Sequence, residues 1–265
     1  MRGVSGRATV GKPMNILITG AGSGLGRGLA LALAGGDRHV FATDTNATTA
    51  EETSAAVKAA GNSASAHHLD VTREEHSRRF MADIRDGPVD VLVNNAGVQQ
   101  VAPLEEFPQE QWDHVVDVCL RGTCVMTRAV LPGMRQNGFG RIVNIGSIHS
   151  LVASPFKTAY VAAKHALLGF SKAVALETAD VDITINTICP AYIRTPLVEE
   201  QIAGQAKAHG MSEDDVIAKI MLLPMPKRAF ITIEEVSAVV EFLISPAARN
   251  ITGQTITIDG GWTAR

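Results

Sequence analysis

Tyr160 and Lys164 stand four residues apart in YVAAK, and Ser147 closes the apolar run RIVNIGS. Residues i and i+4 share one face of a helix, so this spacing brings an ammonium to a phenol. A tyrosine is a poor base at neutral pH, with an unperturbed pKa of about 10. A cation beside it favours the phenolate, which predicts a lowered pKa and a usable proton donor and acceptor. Ser147 could then hold the reacting oxygen. The YxxxK spacing alone is common, but the chain has only two tyrosines, and this one follows a second constellation. Residues 19–26 read TGAGSGLG, with glycines at 20, 24 and 26. Between a strand and a helix, such glycines allow a tight turn, close approach to a diphosphate and close helix–strand packing. The helix N-terminus then favours the anion. Asp44 ends the next apolar run, where a carboxylate accepts from both adenosine ribose hydroxyls and repels a 2′-phosphate. Neither Ser23 nor Thr45 is a cation, and Arg27, one turn into the helix, could equally be solvated. These residues predict NAD rather than NADP.

Such residues need a scaffold that alternates strands and helices, and the chain reads that way. Strands are expected at 15–19, 39–43, 64–69, 89–93, 141–145, 182–188 and 254–258. Helices are expected at 25–34, 47–60, 72–86, 109–135, 157–178 and 232–244, with short helices across 196–223. Continuous Val/Ile strands alternating with helices predict a parallel sheet covered on both faces, a Rossmann-type doubly wound α/β fold. The expected organisation is a flexible extension over 1–13 and one NAD-binding catalytic domain over 14–265. The helix at 160–176 is apolar nearly all round, which predicts a subunit contact in addition to the sheet.

The 265 residues carry 24 Lys+Arg and 27 Asp+Glu, a net charge of −3 that argues against nucleic acid as a partner. Apolar residues at 46% and charged residues at 19% place the chain with globular proteins, not disordered ones. No apolar run reaches the ~18 residues of a membrane span. The three cysteines, Cys119, Cys124 and Cys189, form no CxxC pair, which excludes a disulfide scaffold and a thiolate zinc site. A reducing, cytoplasmic setting is expected. The basic, glycine-rich start lacks the apolar core of a secretory signal, although a transit-peptide remnant is an alternative to a flexible extension.

With TGAGSGLG, Asp70-Val71, NNAG at 94–97, Ser147, Tyr160-x-x-x-Lys164 and Ile193-Arg194-Thr195, the chain resembles the short-chain dehydrogenases/reductases from Met14 onward. The resemblance implies a cofactor site of Gly20, Ser23, Gly24, Leu25, Gly26 and Asp44, with Asp70 and Val71 beside the adenine. It implies residues 94–97, among them Asn95, Ala96 and Gly97, beside a ribose. Pro190, Ile193 and Thr195 would lie at the nicotinamide, with Tyr160 and Lys164 also touching the cofactor. Ser147, Tyr160 and Lys164 would be catalytic, and no metal would be required. The stretches 147–179, 188–202 and 259–265 further resemble the bacterial D-3-hydroxybutyrate dehydrogenases, enzymes of ketone-body metabolism. That likeness implies a small anionic hydroxy or keto acid as substrate, its carboxylate held by Gln99, His149, Lys157 and Gln201. It implies a substrate lid at about 192–223 and a homotetramer. Another small 3- or 4-hydroxy acid is the alternative substrate, and a non-catalytic NAD-binding module a weaker one. Tyr192 could line the pocket or pack the lid, and Trp262 could wall the pocket or meet a neighbouring subunit.

Two positions depart from the family pattern. Cys119 stands where asparagine is usual; a thiol is a weak donor and acceptor, so a slower proton relay, or one using a backbone carbonyl, is expected. Ala191 stands where Pro-Gly is usual, and alanine fits if its φ is negative; otherwise it costs of order 1 kcal/mol.

Overall fold

The structure is a computed structural model that describes residues 13–84 and 87–264. The expected extension therefore lies, apart from Pro13, outside the described residues. Seven strands form one parallel sheet: β1 (Met14–Thr19), β2 (Arg38–Asp44), β3 (Ser63–His68), β4 (Val91–Asn94), β5 (Phe139–Ile145), β6 (Asp182–Pro190) and β7 (Thr255–Ile258). Their order is β3-β2-β1-β4-β5-β6-β7, so the chain winds outward from β1 and then returns to wind the other way from β4. Ligands of open α/β sheets bind beyond the carboxyl ends of the strands at such a reversal.

The apolar strand residues serve both faces in turn. Ile16 and Ile18 pack with α1 (Gly24–Leu33) and α9 (Ile233–Ile244), through Leu29, Val236 and Val240. Leu17 turns the other way, into a core with Phe41, Leu92, Met126 and Ile142. This period-two sharing explains why the strands read as continuous apolar runs. Between strands lie α2 (Ala47–Ala59), α3 (Glu74–Asp83), α4 (Gln109–Val116), α5 (Gly122–Asn137) and α6 (Thr158–Glu177). Beyond β6 come α7 (Pro196–His209) and α8 (Glu213–Val216). Asn46 caps α2 by accepting from Thr48 and Thr49, and Thr232 with Glu235 forms a capping box on α9.

The long helix expected at 109–135 is interrupted. Asp117–Arg121 forms a π-helical turn between α4 and α5, and the helix stops when Gly138 takes a left-handed conformation. The charged helix expected at 72–86 is shorter, ending at Asp83. No helix among the described residues is long and apolar enough to cross a membrane. On α6, Leu176 is 81% exposed, an apolar side chain left uncovered within one chain.

A polar row crosses the centre of the sheet. Asn94, Asn144 and Thr187 are register partners on β4, β5 and β6. Asn94 donates to Asn144 at 2.8 Å, Asn144 donates to Ser171 at 2.9 Å, and Ser171 meets Thr187 at 2.8 Å. Asn144→Ala removes two buried hydrogen bonds of the row, leaving Asn94 Nδ2 only Thr127 and Ser171 only Leu167 and Thr187, so it should cost about 1–3 kcal/mol. Thermal unfolding checks this; an unchanged midpoint would remove the row from the account of stability.

Candidate functional site

Two cavities open beyond the carboxyl ends of the strands, and they share Leu25, Asn95, Gly97 and Thr195. The larger, about 350 Å³, is a groove bordered by Gly20, Ser23, Gly24, Leu25, Gly26, Asp44, Asp70, Val71, Asn95, Ala96, Gly97 and Thr195. The smaller, about 160 Å³, collects Gln99, Ser147, His149, Lys157, Tyr160, Lys164, Pro190, Ile193 and Gln201. Of the residues expected from the sequence at cofactor, catalysis or substrate, all but Asn94 border one of the two. Its side chain turns into the polar row, and Asn95 alone of the pair faces the groove, donating to the carbonyls of Thr19 and Gly20 at 2.9 and 3.1 Å.

The glycine turn follows from space as well as from conformation. Gly20 and Gly24 have φ of 64° and 51°. A Cβ on Gly26 would lie 2.1 Å from the Gly20 carbonyl oxygen, so only glycine allows α1 to start this close to the turn. Ser23 precedes α1 without a side-chain cap, leaving the helix N-terminus to the groove. Asp44 is fixed by main-chain donors, with Gly22 N and Asn46 N each at 2.9 Å. Among the described residues neither lysine nor arginine lines the groove, and Arg27 turns instead to Glu52 at 3.8 Å. Burial pushes the Asp70 carboxyl up, but two hydrogen bonds from Thr72 and the charge of Arg73 hold it below the usual carboxylate range.

In the smaller cavity α6 presents Tyr160 and Lys164 on one face, as the spacing predicts. Lys164 Nζ donates to the Ile145 carbonyl at 2.7 Å and lies 5.5 Å from the Tyr160 ring centroid. The direction expected for the phenol is corrected here. Burial pushes Tyr160 above the usual phenol value, and the opposing effects of Lys164 and of a hydrogen bond from Ser147 are smaller. Ser147 begins a capping box with Ser150 and accepts from His149 N at 3.1 Å.

The groups around the rest of the cavity are donors short of acceptors. Lys157 is 6% exposed, and burial brings its pKa down to about 8. It has no ion pair, and its ammonium faces the Tyr192 ring at 5.7 Å. Burial first, and Lys157 second, lower His149 to about 4, against a small opposing effect of the Val152 backbone. His149 is therefore neutral at pH 7, and neither ring nitrogen finds a hydrogen-bond partner. Gln99 Nε2 is likewise buried without one, while Gln99 Oε1 accepts from Gln201 at 3.4 Å. Tyr192 lines the cavity, and Trp262 backs it, its ring 6.1 Å from His149 and 6.0 Å from Tyr192. Tyr192 also packs against Val198 and Ile202 of α7.

The two departures are both accommodated. Cys119 lies in the π-helical turn, is 1% exposed, and donates to the Val98 carbonyl at 3.4 Å. Ala191 does not have a positive φ, so alanine is unstrained there. The reading missed His114 and Val118, which also border the groove. Their i, i+4 spacing was the available signal, hidden because the helix was read as uninterrupted.

The geometry of two joined cavities, a glycine turn at a helix N-terminus and a Tyr–Lys face has counterparts in known proteins. The short chain dehydrogenase family model matches residues 14–206. The chain belongs to this family. A protein named D-beta-hydroxybutyrate dehydrogenase from Rhizobium meliloti (strain 1021) is 48% identical over 201 residues, 75% of this chain and 78% of the relative. One of the same name from Cupriavidus necator is 40% identical over 94% of this chain and 97% of the relative. In three dimensions the chain is similar to an actinorhodin polyketide ketoreductase solved with NADPH, with TM-score 0.91 and 32% identity over 96% of this chain and 98% of that one. This short-chain dehydrogenase is an oxidoreductase of a family that binds a nicotinamide cofactor, and the groove fits such a group. The helix start is uncapped, and only the absence of a side chain at Gly26 lets it lie this close to the turn. Gly26→Ala should weaken NADH binding by at least about tenfold, roughly 1.4 kcal/mol, in a fluorescence titration. Unchanged binding would show that the turn relaxes at no cost.

Proposed function

We propose that the protein interconverts (R)-3-hydroxybutyrate and acetoacetate, using NAD. The observation that carries this is the set of buried polar groups beside Tyr160 that lack a partner acid or hydrogen bond among the described residues. A buried lysine without an acid, a neutral histidine with two unpaired nitrogens and a glutamine amide converge on about 160 Å³. Burying such groups is costly unless a ligand satisfies them, and a small carboxylate does so. The names of both bacterial relatives point the same way. NAD is favoured by Asp44 and by the lack of a lining cation, although the similar ketoreductase was solved with NADPH.

Lys157, His149, Gln99 and Gln201 hold the carboxylate, which places the 3-hydroxyl at Ser147 and Tyr160. Bound NAD supplies the hydride acceptor. A phenol raised by burial is protonated at neutral pH, so Tyr160 is ready to donate to a keto oxygen in the reductive direction. In the oxidative direction Tyr160 first gives its proton up towards solvent, and the phenolate, stabilised by Lys164, then takes the hydroxyl proton and returns to the phenol. Ser147 donates to the oxygen as charge develops on it. The segment 192–223, carrying Gln201 and Val198 into the cavity wall, acts as a lid that excludes water. The assembly we infer is a homotetramer, which would cover Leu176 and the rest of the outer α6 face. Its three cysteines are free, as suits a cytoplasmic enzyme.

Mixing the protein with NAD and (R)-3-hydroxybutyrate should raise NADH absorbance, with the (S) enantiomer and NADP as poor alternatives. Equal rates with both enantiomers would overturn the assignment. Tyr160→Phe should lower kcat by ~10²–10⁴, and near-normal turnover would remove Tyr160 from the proton path.

Lys157 gives a pH signature. Its pKa of about 8 leaves it charged below that pH and neutral above, while a substrate carboxylate is ionised throughout. KM for the acid should therefore be flat between roughly pH 6 and 7.5 and rise above 8. A KM that stays flat to pH 9.5 would separate Lys157 from the anion.

A further inference from the structure

Phe156 has φ of 65°, in the left-handed region where a side chain bearing a Cβ is strained. Its ring is 53% exposed, so burial does not hold it there. It follows Pro155 in a tight turn, at the position where a proline-led type II turn takes glycine. The backbone on either side explains why the conformation persists. The Phe156 carbonyl accepts from Ala102 N at 3.0 Å, tying this turn to the loop that carries Gln99. The next residue, Lys157, begins α6 as its N-cap, with φ −125° and ψ 33°. Phe156 points to solvent, yet Lys157 is buried in the cavity.

We propose that the left-handed backbone of Phe156 is a positioning device for the substrate anion. It turns Lys157 inward and couples that lysine to the Gln99 loop, and the conformation, not the aromatic ring, performs the task. This rests on the reading of Lys157 as the carboxylate anchor. Strained backbone of this kind survives only where the surroundings over-determine it, and it gathers at ligand clamps. The hydrogen bond to Ala102 and the buried lysine are those surroundings. Relaxing φ to a negative value would redirect the carbonyl away from Ala102 and rotate the start of α6, releasing the two sides of the clamp together.

Substitutions separate conformation from ring. Phe156→Gly and Phe156→Asn remove the ring but allow a left-handed backbone, so KM for (R)-3-hydroxybutyrate should stay within about twofold. Phe156→Val is β-branched and disfavours that region, and KM should rise roughly tenfold with kcat at saturation and NAD affinity little changed. Ala102→Pro removes the donor to Phe156 and should raise KM in the same selective way, which keeps the test open if Phe156→Val fails to fold. A KM unchanged in both Phe156→Val and Ala102→Pro would overturn the proposal, and so would a rise in Phe156→Gly as large as in Phe156→Val.

A second readout does not depend on the substrate. Acetylation of amines, followed by mass spectrometry, should find Lys157 protected in the wild type and in Phe156→Gly, relative to exposed Lys58 on α2. In Phe156→Val, Lys157 should become as reactive as Lys58, and continued protection would count against the device. Lys157→Met separates the two readings. If it leaves KM unchanged, the anchor assignment fails. If it raises KM while Phe156→Val and Ala102→Pro do not, the positioning role alone fails.

Discussion

Asn94, Asn144 and Thr187 lie side by side across β4, β5 and β6, and the working residues are measured out from that row. One step beyond Asn94 is Asn95 at the groove, and five steps beyond is Gln99. From Asn144 the chain passes Ile145, whose carbonyl holds Lys164, and reaches Ser147 and His149. From Thr187 it reaches Pro190 and the segment up to Thr195. Because side chains alternate along a strand, a one-residue slip in any of these pairings would turn a whole wall of the site the wrong way. The amide and hydroxyl bonds of the row oppose such a slip, since a slipped amide would be left buried and unpaired. Stability and positioning therefore rest on the same atoms.

Beyond that row the structure accepts unfavourable local states, and they cluster around one cavity. Lys157 is buried without a counter-ion, His149 without a hydrogen bond, and Phe156 with a left-handed backbone. Each would be disfavoured in an ordinary core or turn. Their nearness suggests one cause, and a ligand bearing a carboxylate addresses the first two directly. Tyr192 and Trp262 stack beside this corner at 6.0 Å, and apolar rings there would strengthen the proposed attraction between such an anion and Lys157.

Strand positions were legible in the sequence because both faces of a parallel sheet are buried, which leaves unbroken Val/Ile runs. The glycine turn was legible because its constraint is steric; at Gly26 nothing larger fits. What escaped was set by contacts distant in the chain. The π-helical turn at Asp117–Arg121 has no local breaker, and the crowding of Gly122 against Val71, 2.5 Å from a notional Cβ, comes from another loop. The left-handed Phe156 escaped as well, since an aromatic after proline gives no reason to expect positive φ. Arg27 was ambiguous for the same reason, and its partner Glu52 comes from α2.

Tyr160 shows where spacing misleads about chemistry. The i, i+4 rule correctly places Lys164 on the same helix face, but nearness of a cation does not by itself set a pKa. Lys164 is itself buried, and its ammonium is engaged with the Ile145 carbonyl, so its field reaches Tyr160 from a position fixed by the sheet. The phenol lies between that charge and an apolar enclosure that penalises phenolate, and the enclosure is stronger. A protonated phenol is the useful state for giving a proton to a keto oxygen. The fixed ammonium becomes most valuable once that proton has left, when the phenolate needs an opposite charge already in place. In the mechanism proposed for Tyr160, burial thus holds the proton until a substrate oxygen can take it, and Lys164 stabilises the state that follows.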